Sequence, residues 1–227
     1  MKKLKIMSVV GTRPEIIRLS RVLAKLDEHC EHILVHTGQN YDYELNEVFF
    51  NDFNLKKPDY FLNAATGTAV ETIGNILVKI DPILEEVKPD IVLVHGDTST
   101  TFVTSLACFY LQIPVGHVEA GLRTYDIYSP FPEEFNRQAV GIIAKYHFAP
   151  TEIAKEHLLS EGKKADAIYV TGNTAIDALK TTVRDDYGHP ELQWAEGSKL
   201  ILITAHRREN LGEPMHHMFR AIRKIMD

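Results

Sequence analysis

The feature that most constrains the fold is a series of short apolar segments separated by helical patterns. Strands are predicted over 4–10, 32–36, 90–95, 114–118, 145–150, 167–172 and 199–205. Several are apolar on consecutive positions, which is typical of parallel strands covered on both faces. Between them, 68–88 repeats apolar residues at spacings of three and four, which predicts a helix that Pro82 should kink or break. This alternation predicts a doubly wound parallel α/β sheet.

The chain also shows a candidate boundary. Residues 184–198 are polar and interrupted by Gly and Pro, which predicts a linker after an N-terminal domain over 1–183. The remaining residues, 199–227, offer one strand and one helix, which cannot bury a core of their own. We therefore expect a chain truncated just inside a second domain, with apolar side chains exposed over 200–204 and 215–225.

Charge and cysteine content narrow the possible partners. The formal net charge of −6 argues against a nucleic-acid groove. Cys30 and Cys108 alone make no disulfide framework, which favours a reducing compartment such as the cytoplasm. No stretch approaches the roughly 20 apolar residues that a membrane span needs. We expect a cytoplasmic protein with no nucleic-acid or membrane partner.

The turn "GTRPEIIR" after the first predicted strand is the first candidate for ligand binding. Gly11 permits a tight turn, Thr12 can cap a helix, and Pro14 suits the first helical position. Free backbone N–H groups and the helix dipole would favour an anion there, and Arg13 and Arg18 add positive charge. The alternative is an ordinary capped helix with solvated arginines.

At the ends of two later predicted strands, a histidine is followed two residues on by an acid. Asp97, in "VHGDTSTT", could carry chemistry or could cap the next helix in competition with Thr98. His117 and Glu119 repeat the spacing of His95 and Asp97, so two such pairs could hold a divalent metal. Histidines bonded to the backbone are the alternative.

Two further segments complete the candidate site. Glu133 and Glu134, in "SPFPEEFNRQ", follow a proline and indicate a helix start, where the dipole favours acids. His206, Arg207 and Arg208 leave a predicted strand together, as a solvated basic edge or as a phosphate and leaving-group site. Because ligands of open α/β sheets lie beyond the carboxyl ends of the strands, these groups suit an anionic substrate undergoing acid–base chemistry.

Six ordered motifs carry a specific resemblance. "GTRPE", "VHGDTSTT", "GHVEAGLRT", "SPFPEEFNRQ", "TGNTAIDAL" and "TAHRREN" together resemble the non-hydrolysing bacterial UDP-N-acetylglucosamine 2-epimerases. The resemblance implies two Rossmann-like domains facing a cleft, as in GT-B glycosyltransferases, in a homodimer of longer chains. It also implies epimerisation at C2 between UDP-GlcNAc and UDP-ManNAc, through elimination of UDP to 2-acetamidoglucal and its re-addition. No cofactor and no catalytic metal are implied, and the product would serve cell-surface polysaccharide synthesis.

The matching motifs assign roles residue by residue. The resemblance makes Asp97, Glu119 and Glu133 the acid–base candidates, with Asp97 and Glu119 also in contact with the UDP-sugar. It places His206 near the diphosphate or leaving group, as a further catalytic and binding candidate. Arg13 would bind the nucleotide phosphate, and Arg18, also a binding candidate, stands where the family usually has lysine.

Many family members also have a site at which a second UDP-GlcNAc activates the enzyme. Gln39 and Glu134 are the candidates for this site here. Asn40 and Asp42 depart from the family pattern, and "AATGTAVE" lacks an expected arginine. We therefore expect weak or absent activation by substrate.

Several other functions stay open at this point. The "GTRPEIIRLS" and "TGQNYDYELN" segments look more like the sister epimerases that act on UDP-2-acetamido-2,6-dideoxy-L-talose to make UDP-L-FucNAc. A hydrolysing epimerase that releases ManNAc and UDP is another alternative, and a metal-dependent hydrolase is a more distant one. The 227-residue chain could also be inactive by itself.

Overall fold

The computed structural model describes residues 3–39, 43–205 and 210–226. Within them the chain divides into two compact units, one up to Val183 and the other from Arg184 onward. None of the described helices combines the length and the apolar character that crossing a membrane requires. The division of 184–227 into a linker and the start of a second domain stays a prediction.

The first unit is built on a seven-stranded parallel sheet. The strands are β1 (Lys5–Val10), β2 (Glu31–His36), β3 (Tyr60–Phe61), β4 (Ile91–His95), β5 (Val115–Val118), β6 (Tyr146–Ala149) and β7 (Ile168–Val170). Their order in the sheet is β3-β2-β1-β4-β5-β6-β7, and every neighbouring pair is parallel. The predicted doubly wound parallel α/β sheet is confirmed. Only β3, which has two residues, has no counterpart in the sequence-based prediction.

Helices cover both faces of this sheet. They are α1 (Arg13–His29), α2 (Tyr43–Asp52), α3 (Ala69–Val87), α4 (Ser99–Tyr110), α5 (Glu133–Ile143), α6 (Glu152–Ser160) and α7 (Thr174–Thr182). Leu34 and Val35 are adjacent in β2 but belong to different core clusters, because successive side chains of a strand point to opposite faces. The cluster around Leu34 includes Leu19 and Leu23 of α1, and the cluster around Val35 includes Ile80 of α3.

The predicted break in α3 does not occur, because the helix runs through Pro82 to Val87. A proline in a helix leaves the carbonyl four residues earlier without its usual N–H partner. That residue is Val78, whose side chain is exposed. Pro82 is exposed as well, so water can reach this side of the helix and solvate the carbonyl.

The strand order also locates the expected binding region. The connections after β1 and β4 run to opposite sides, so the sheet has its topological switch point between these two neighbours. Ligands of doubly wound sheets bind beyond the carboxyl ends of the strands at such a point. The turn after β1 begins with Gly11 and the turn after β4 begins with Gly96, which adopts φ +69°.

The second unit contains helices α8 (Pro190–Trp194) and α9 (Glu213–Met226). The predicted strand over 199–205 is not formed. A strand needs a neighbouring strand to satisfy its backbone groups, and the described part of this unit contains no strand beside the segment. Its apolar side chains are exposed, Leu202 to 93%.

Candidate active site

The turn between β1 and α1 already holds an acceptor for its backbone N–H groups. Glu15, in the first turn of α1, is buried, and its Oε2 accepts hydrogen bonds from the N–H groups of Gly11 (2.8 Å) and Thr12 (2.7 Å). A Cβ on Gly11 would lie 2.1 Å from Thr100 Oγ1, so no side chain fits there. The expectation of free N–H groups at this turn is therefore wrong for these two donors, because a carboxyl group of the same chain occupies them.

The second oxygen of Glu15 reaches the start of α4. Its Oε1 accepts a hydrogen bond from Thr98 Oγ1 at 2.8 Å. Burial raises the pKa of the Glu15 carboxyl, and the hydrogen bonds from Gly11, Thr98 and Thr12 offset only part of that effect. Glu15 thus ties the turn after β1 to the turn after β4.

The two arginines of the first motif have different surroundings. Arg13 is the first residue of α1 and is exposed. Arg18 points to the end of β5, where its Nη1 lies 2.9 Å from both carboxylate oxygens of Glu119. The Arg18 side chain is 40% exposed, so its other nitrogens can be reached from solvent. The structure therefore pairs a predicted phosphate-binding arginine with a predicted acid–base residue.

Glu119 directly follows β5 and has an unusual backbone. Its φ of +66° lies in the left-handed region, which is sparsely populated by non-glycine residues and costs about 1 kcal/mol or more. Its side chain is 11% exposed. Burial raises the pKa of its carboxyl, as does the nearby Asp97, and Arg18 and Arg137 oppose this shift without cancelling it. A strained residue with a raised carboxyl pKa in a ligand-binding region is typical of a functional site.

The structure excludes the capping role that the sequence allows for Asp97. Thr98 is the N-cap of α4, and its side chain accepts a hydrogen bond from the Thr101 N–H. Asp97 therefore keeps its carboxylate for another partner, which is Arg137 Nη2 at 2.5 Å. Its backbone carbonyl accepts from Asn136 Nδ2 at 2.8 Å. The first turns of α5 thus contact Asp97 at both its side chain and its backbone.

His95 and His117, each two residues before a candidate acid, are buried and neutral. Burial lowers the pKa of both His95 and His117 to about 3. His117 Nε2 donates to the Gly96 carbonyl at 2.7 Å, which is the backbone-bonded alternative raised by the sequence. Within residues 3–39, 43–205 and 210–226, no group of three or more His, Cys, Asp or Glu side chains is arranged to hold a metal ion.

Glu133 and Glu134 both lie in the first turn of α5, as the sequence predicts. The Oε2 atom of Glu133 is buried and has no hydrogen-bond partner in the described part of the chain. Glu133 precedes Asn136 and Arg137 by three and four positions, so all three share one helix face. Glu134 is fully buried, and its Oε1 accepts from the Tyr125 N–H and from Gln138, each at 3.0 Å.

The remaining predicted site residues are Gln39 and His206. Gln39 Oε1 accepts from the N–H (3.0 Å) and the hydroxyl (2.7 Å) of Thr100 in the first turn of α4. This contact satisfies a helix N-terminus, and the predicted activator role stays a prediction. His206 lies outside the described residues, together with Asn40 and Asp42.

The motifs do not predict the central place of Arg137. It contacts Asp97 and lies 3.5 Å from Glu134 Oε2. The one local signal is its spacing of three residues from Glu134, which favours a helical ion pair. Its contact with Asp97 joins residues 40 positions apart, so local spacing could not reveal it.

Most of the chain is similar to proteins of one known family. The family model described as UDP-N-acetylglucosamine 2-epimerase matches residues 24–227. The Bacillus subtilis UDP-N-acetylglucosamine 2-epimerase is 56% identical over the whole chain, which covers 60% of that relative. The chain thus spans about three fifths of this relative's length.

Solved structures give the same picture. The S. aureus MnaA-UDP co-structure superposes with a TM-score of 0.91 at 49% identity, over 100% of this chain and 60% of that one. The UDP-GlcNAc 2-epimerase from Neisseria meningitidis bound to UDP-GlcNAc gives 0.88 at 43% identity, over 98% and 62%. The chain belongs to the UDP-N-acetylglucosamine 2-epimerase family.

Proposed function

We propose that this chain carries the acid–base residues of an enzyme that interconverts UDP-N-acetylglucosamine and UDP-N-acetylmannosamine at C2. The observation that carries the proposal is the position of Glu119. It lies at a strained position beside Asp97, its carboxyl pKa is raised, and Arg18 contacts it from the predicted phosphate-binding helix. A carboxyl group with a raised pKa can both accept and return a proton near neutral pH.

The proposed reaction has two balanced stages. One carboxylate removes the C2 proton, the C1–C2 double bond of 2-acetamidoglucal forms, and the C1–O bond breaks with its electrons leaving on the UDP phosphate oxygen. The same oxygen then attacks C1, and C2 takes a proton on its other face. Two faces require more than one acid–base group, and Asp97, Glu119 and Glu133 are the proposed set.

Other residues would hold the nucleotide. Arg13 is exposed at the start of α1, and Arg18 has nitrogens that solvent can reach, so both suit the negative charge of a diphosphate. His206 keeps its proposed place near the leaving group. The related S. aureus structure contains UDP and the related N. meningitidis structure is bound to UDP-GlcNAc, which supports a UDP-sugar substrate.

Four further features belong to the same proposal. We propose that the active protein is a homodimer, that it acts in the cytoplasm, and that its product serves cell-surface polysaccharide synthesis. We also propose a GT-B architecture of two Rossmann-like domains.

Proton exchange tests the reaction directly. The chain is incubated with UDP-GlcNAc in D2O, alone and extended at Asp227 by the part of the B. subtilis relative beyond the matched region. We expect deuterium at C2 of both epimers while the nucleotide sugar persists, and loss of this exchange in Glu119→Gln. Glu152→Gln, at the exposed start of α6, is the matched control and should exchange at the original rate.

Two outcomes would contradict the proposal. Stoichiometric release of free UDP without labelled UDP-GlcNAc would indicate a hydrolysing enzyme. Absence of exchange in both forms, with exchange on the 6-deoxy-talose nucleotide sugar, would assign the chain to the sister epimerases.

A further inference from the structure

The carboxylate of Asp97 lies at a place where the backbone alone does not fix it. It follows Gly96, whose φ of +69° marks a tight turn, and it precedes the helix cap Thr98. Because Thr98 performs the capping, no hydrogen bond to α4 among the described residues orients the Asp97 carboxylate. An acid–base residue must nevertheless be held close to its productive geometry.

The fixing contacts come from α5. Asn136 Nδ2 donates to the Asp97 carbonyl at 2.8 Å, and Arg137 Nη2 donates to Asp97 Oδ2 at 2.5 Å. One contact fixes the backbone and the other fixes the side chain. Asn136 is buried, and the side chains of Arg137 and Asp97 are mostly buried, so water competes little for these hydrogen bonds.

Arg137 has a second carboxylate partner, Glu134. Its Nη1 lies 3.5 Å from Oε2 of the fully buried Glu134. Burial raises the pKa of the Glu134 carboxyl, but hydrogen bonds from Gln138 and from the N–H groups of Thr124 and Tyr125 outweigh it, so the pKa lies below its ordinary value. Glu134 therefore stays ionised and can keep the guanidinium of Arg137 turned toward Asp97.

The same guanidinium acts on the second acid. The charge of Arg137, like that of Arg18, lowers the pKa of Glu119, whereas burial and Asp97 raise it. Arg137 therefore influences both proposed acid–base residues, Asp97 by direct contact and Glu119 through its field.

We infer that Asn136, Arg137 and Glu134 form a clamp that positions Asp97 for proton transfer. The inference rests on the proposed function for the chemistry but not for the geometry. In this assignment Glu134 acts through Arg137, so the adjacent acids of α5 have separate tasks, with Glu133 at the reaction and Glu134 behind the arginine.

The kinetic test replaces Arg137 in the form of the protein that exchanges deuterium at C2. We expect Arg137→Gln to lower kcat about 100-fold, because misplacing a catalytic group by about 1 Å has an effect of that size. KM should stay within about threefold, since the clamp does not touch substrate. Arg137→Lys keeps the charge without the planar fork and should fall between the two. Arg21→Gln, at an exposed position of α1, controls for the loss of one arginine.

A structural readout keeps the test independent of activity and of the proposed function. A crystal structure of the Arg137→Gln form of this chain should show the Asp97 carboxylate displaced by about 1 Å or more, and Arg137→Lys serves if that variant does not fold. A carboxylate that stays in place overturns the clamp. A raised KM with unchanged kcat also overturns it, because Arg137 would then bind substrate. Failure of the wild type to exchange contradicts the proposed function alone.

Glu134→Gln separates the clamp from the predicted activator site. We expect kcat at saturating substrate to fall about tenfold, as is common when a supporting partner is removed, and the dependence on UDP-GlcNAc concentration to keep its shape. A change confined to the curvature of that dependence would assign Glu134 to an activator site and overturn its place in the clamp.

Discussion

Two layers of polar side chains lie at the carboxyl edge of the sheet, and they differ in how they are satisfied. The buried layer consists of Glu15, His36, His95 and His117 at this edge, together with His147 near the start of β6. The outward layer consists of Arg18, Asp97, Glu119 and Arg137, all of which retain some contact with solvent.

Glu15 and Glu119 show what the difference teaches. Both are acids with a raised carboxyl pKa. Glu15 accepts hydrogen bonds from Gly11, Thr12 and Thr98, which converge on it from two turns. Glu119 is bonded to one arginine whose side chain is 40% exposed. Convergent fixed donors make an acid structural, whereas a single exchangeable partner leaves it available for chemistry.

The largest effect on stability should come from lowering the pH, because the histidines of the buried layer are neutral in the folded chain. Burial lowers the pKa of His36 and His147 to about 4 and that of His95 and His117 to about 3. In the unfolded chain these histidines bind protons near pH 6.5, whereas in the folded chain they bind protons only at lower pH. The stability that is present above pH 6.5 is therefore lost as the pH falls toward 4. The raised carboxyl pKa values of Glu15 and Glu119 act in the opposite sense.

Each of these histidines that is protonated in the unfolded chain and neutral in the folded chain contributes about 1.4 kcal/mol of unfolding free energy per pH unit near pH 5. Urea unfolding at pH 7, 6 and 5 measures this dependence. His147→Gln should reduce the slope by about one proton, while His29→Gln, at an exposed position, should leave it unchanged. Equal stability at pH 7 and pH 5 would show that the buried layer is not neutral as described.

The second effect tests the structural role of Glu15. Glu15→Ala should lower the free energy of unfolding by about 4 kcal/mol, because the buried N–H groups of Gly11 and Thr12 lose their acceptor. Glu15→Gln should recover about half of this loss, since an amide oxygen can still accept from both. Urea unfolding at pH 7 measures both variants, and a loss below about 1 kcal/mol in Glu15→Ala would remove the distinction between the layers.

The smallest effect is expected from the same substitution in the outward layer. Glu119→Ala should change the unfolding free energy by about 1 kcal/mol or less, because an ion pair with a partly exposed arginine contributes little. The backbone strain at φ +66° is similar for alanine and glutamate. The same urea titration checks it. A loss as large as that of Glu15→Ala would make Glu119 structural too.

The sequence predicts the sheet well because its strands are apolar on consecutive positions. It also predicts which turns carry the candidate site, since strand ends at a switch point must converge. It does not predict β3, because a two-residue strand has no pattern of its own. The sequence also predicts a strand over 199–205 that is not formed, because a strand needs a neighbouring strand as well as an apolar run.

The site is less predictable because its contacts are tertiary. In the sequence, Glu15 looks like any acid in a first helical turn. Only the structure shows that it accepts hydrogen bonds from the N–H groups of Gly11 and Thr12. The contact between Arg137 and Asp97 depends on how closely α5 approaches the turn after β4. Residue types indicate the chemistry, and only packing decides which acid is enclosed and which is left accessible.

The enclosed Glu15 has a consequence for how a nucleotide would be held. With those two backbone donors occupied, an incoming diphosphate depends more on side chains such as Arg13 and Arg18, whose attraction is screened by salt. Such binding is less rigid than binding by a turn whose backbone N–H groups are free. The reaction proposed above releases its leaving group and then recaptures it, and binding of this less rigid kind would permit that motion.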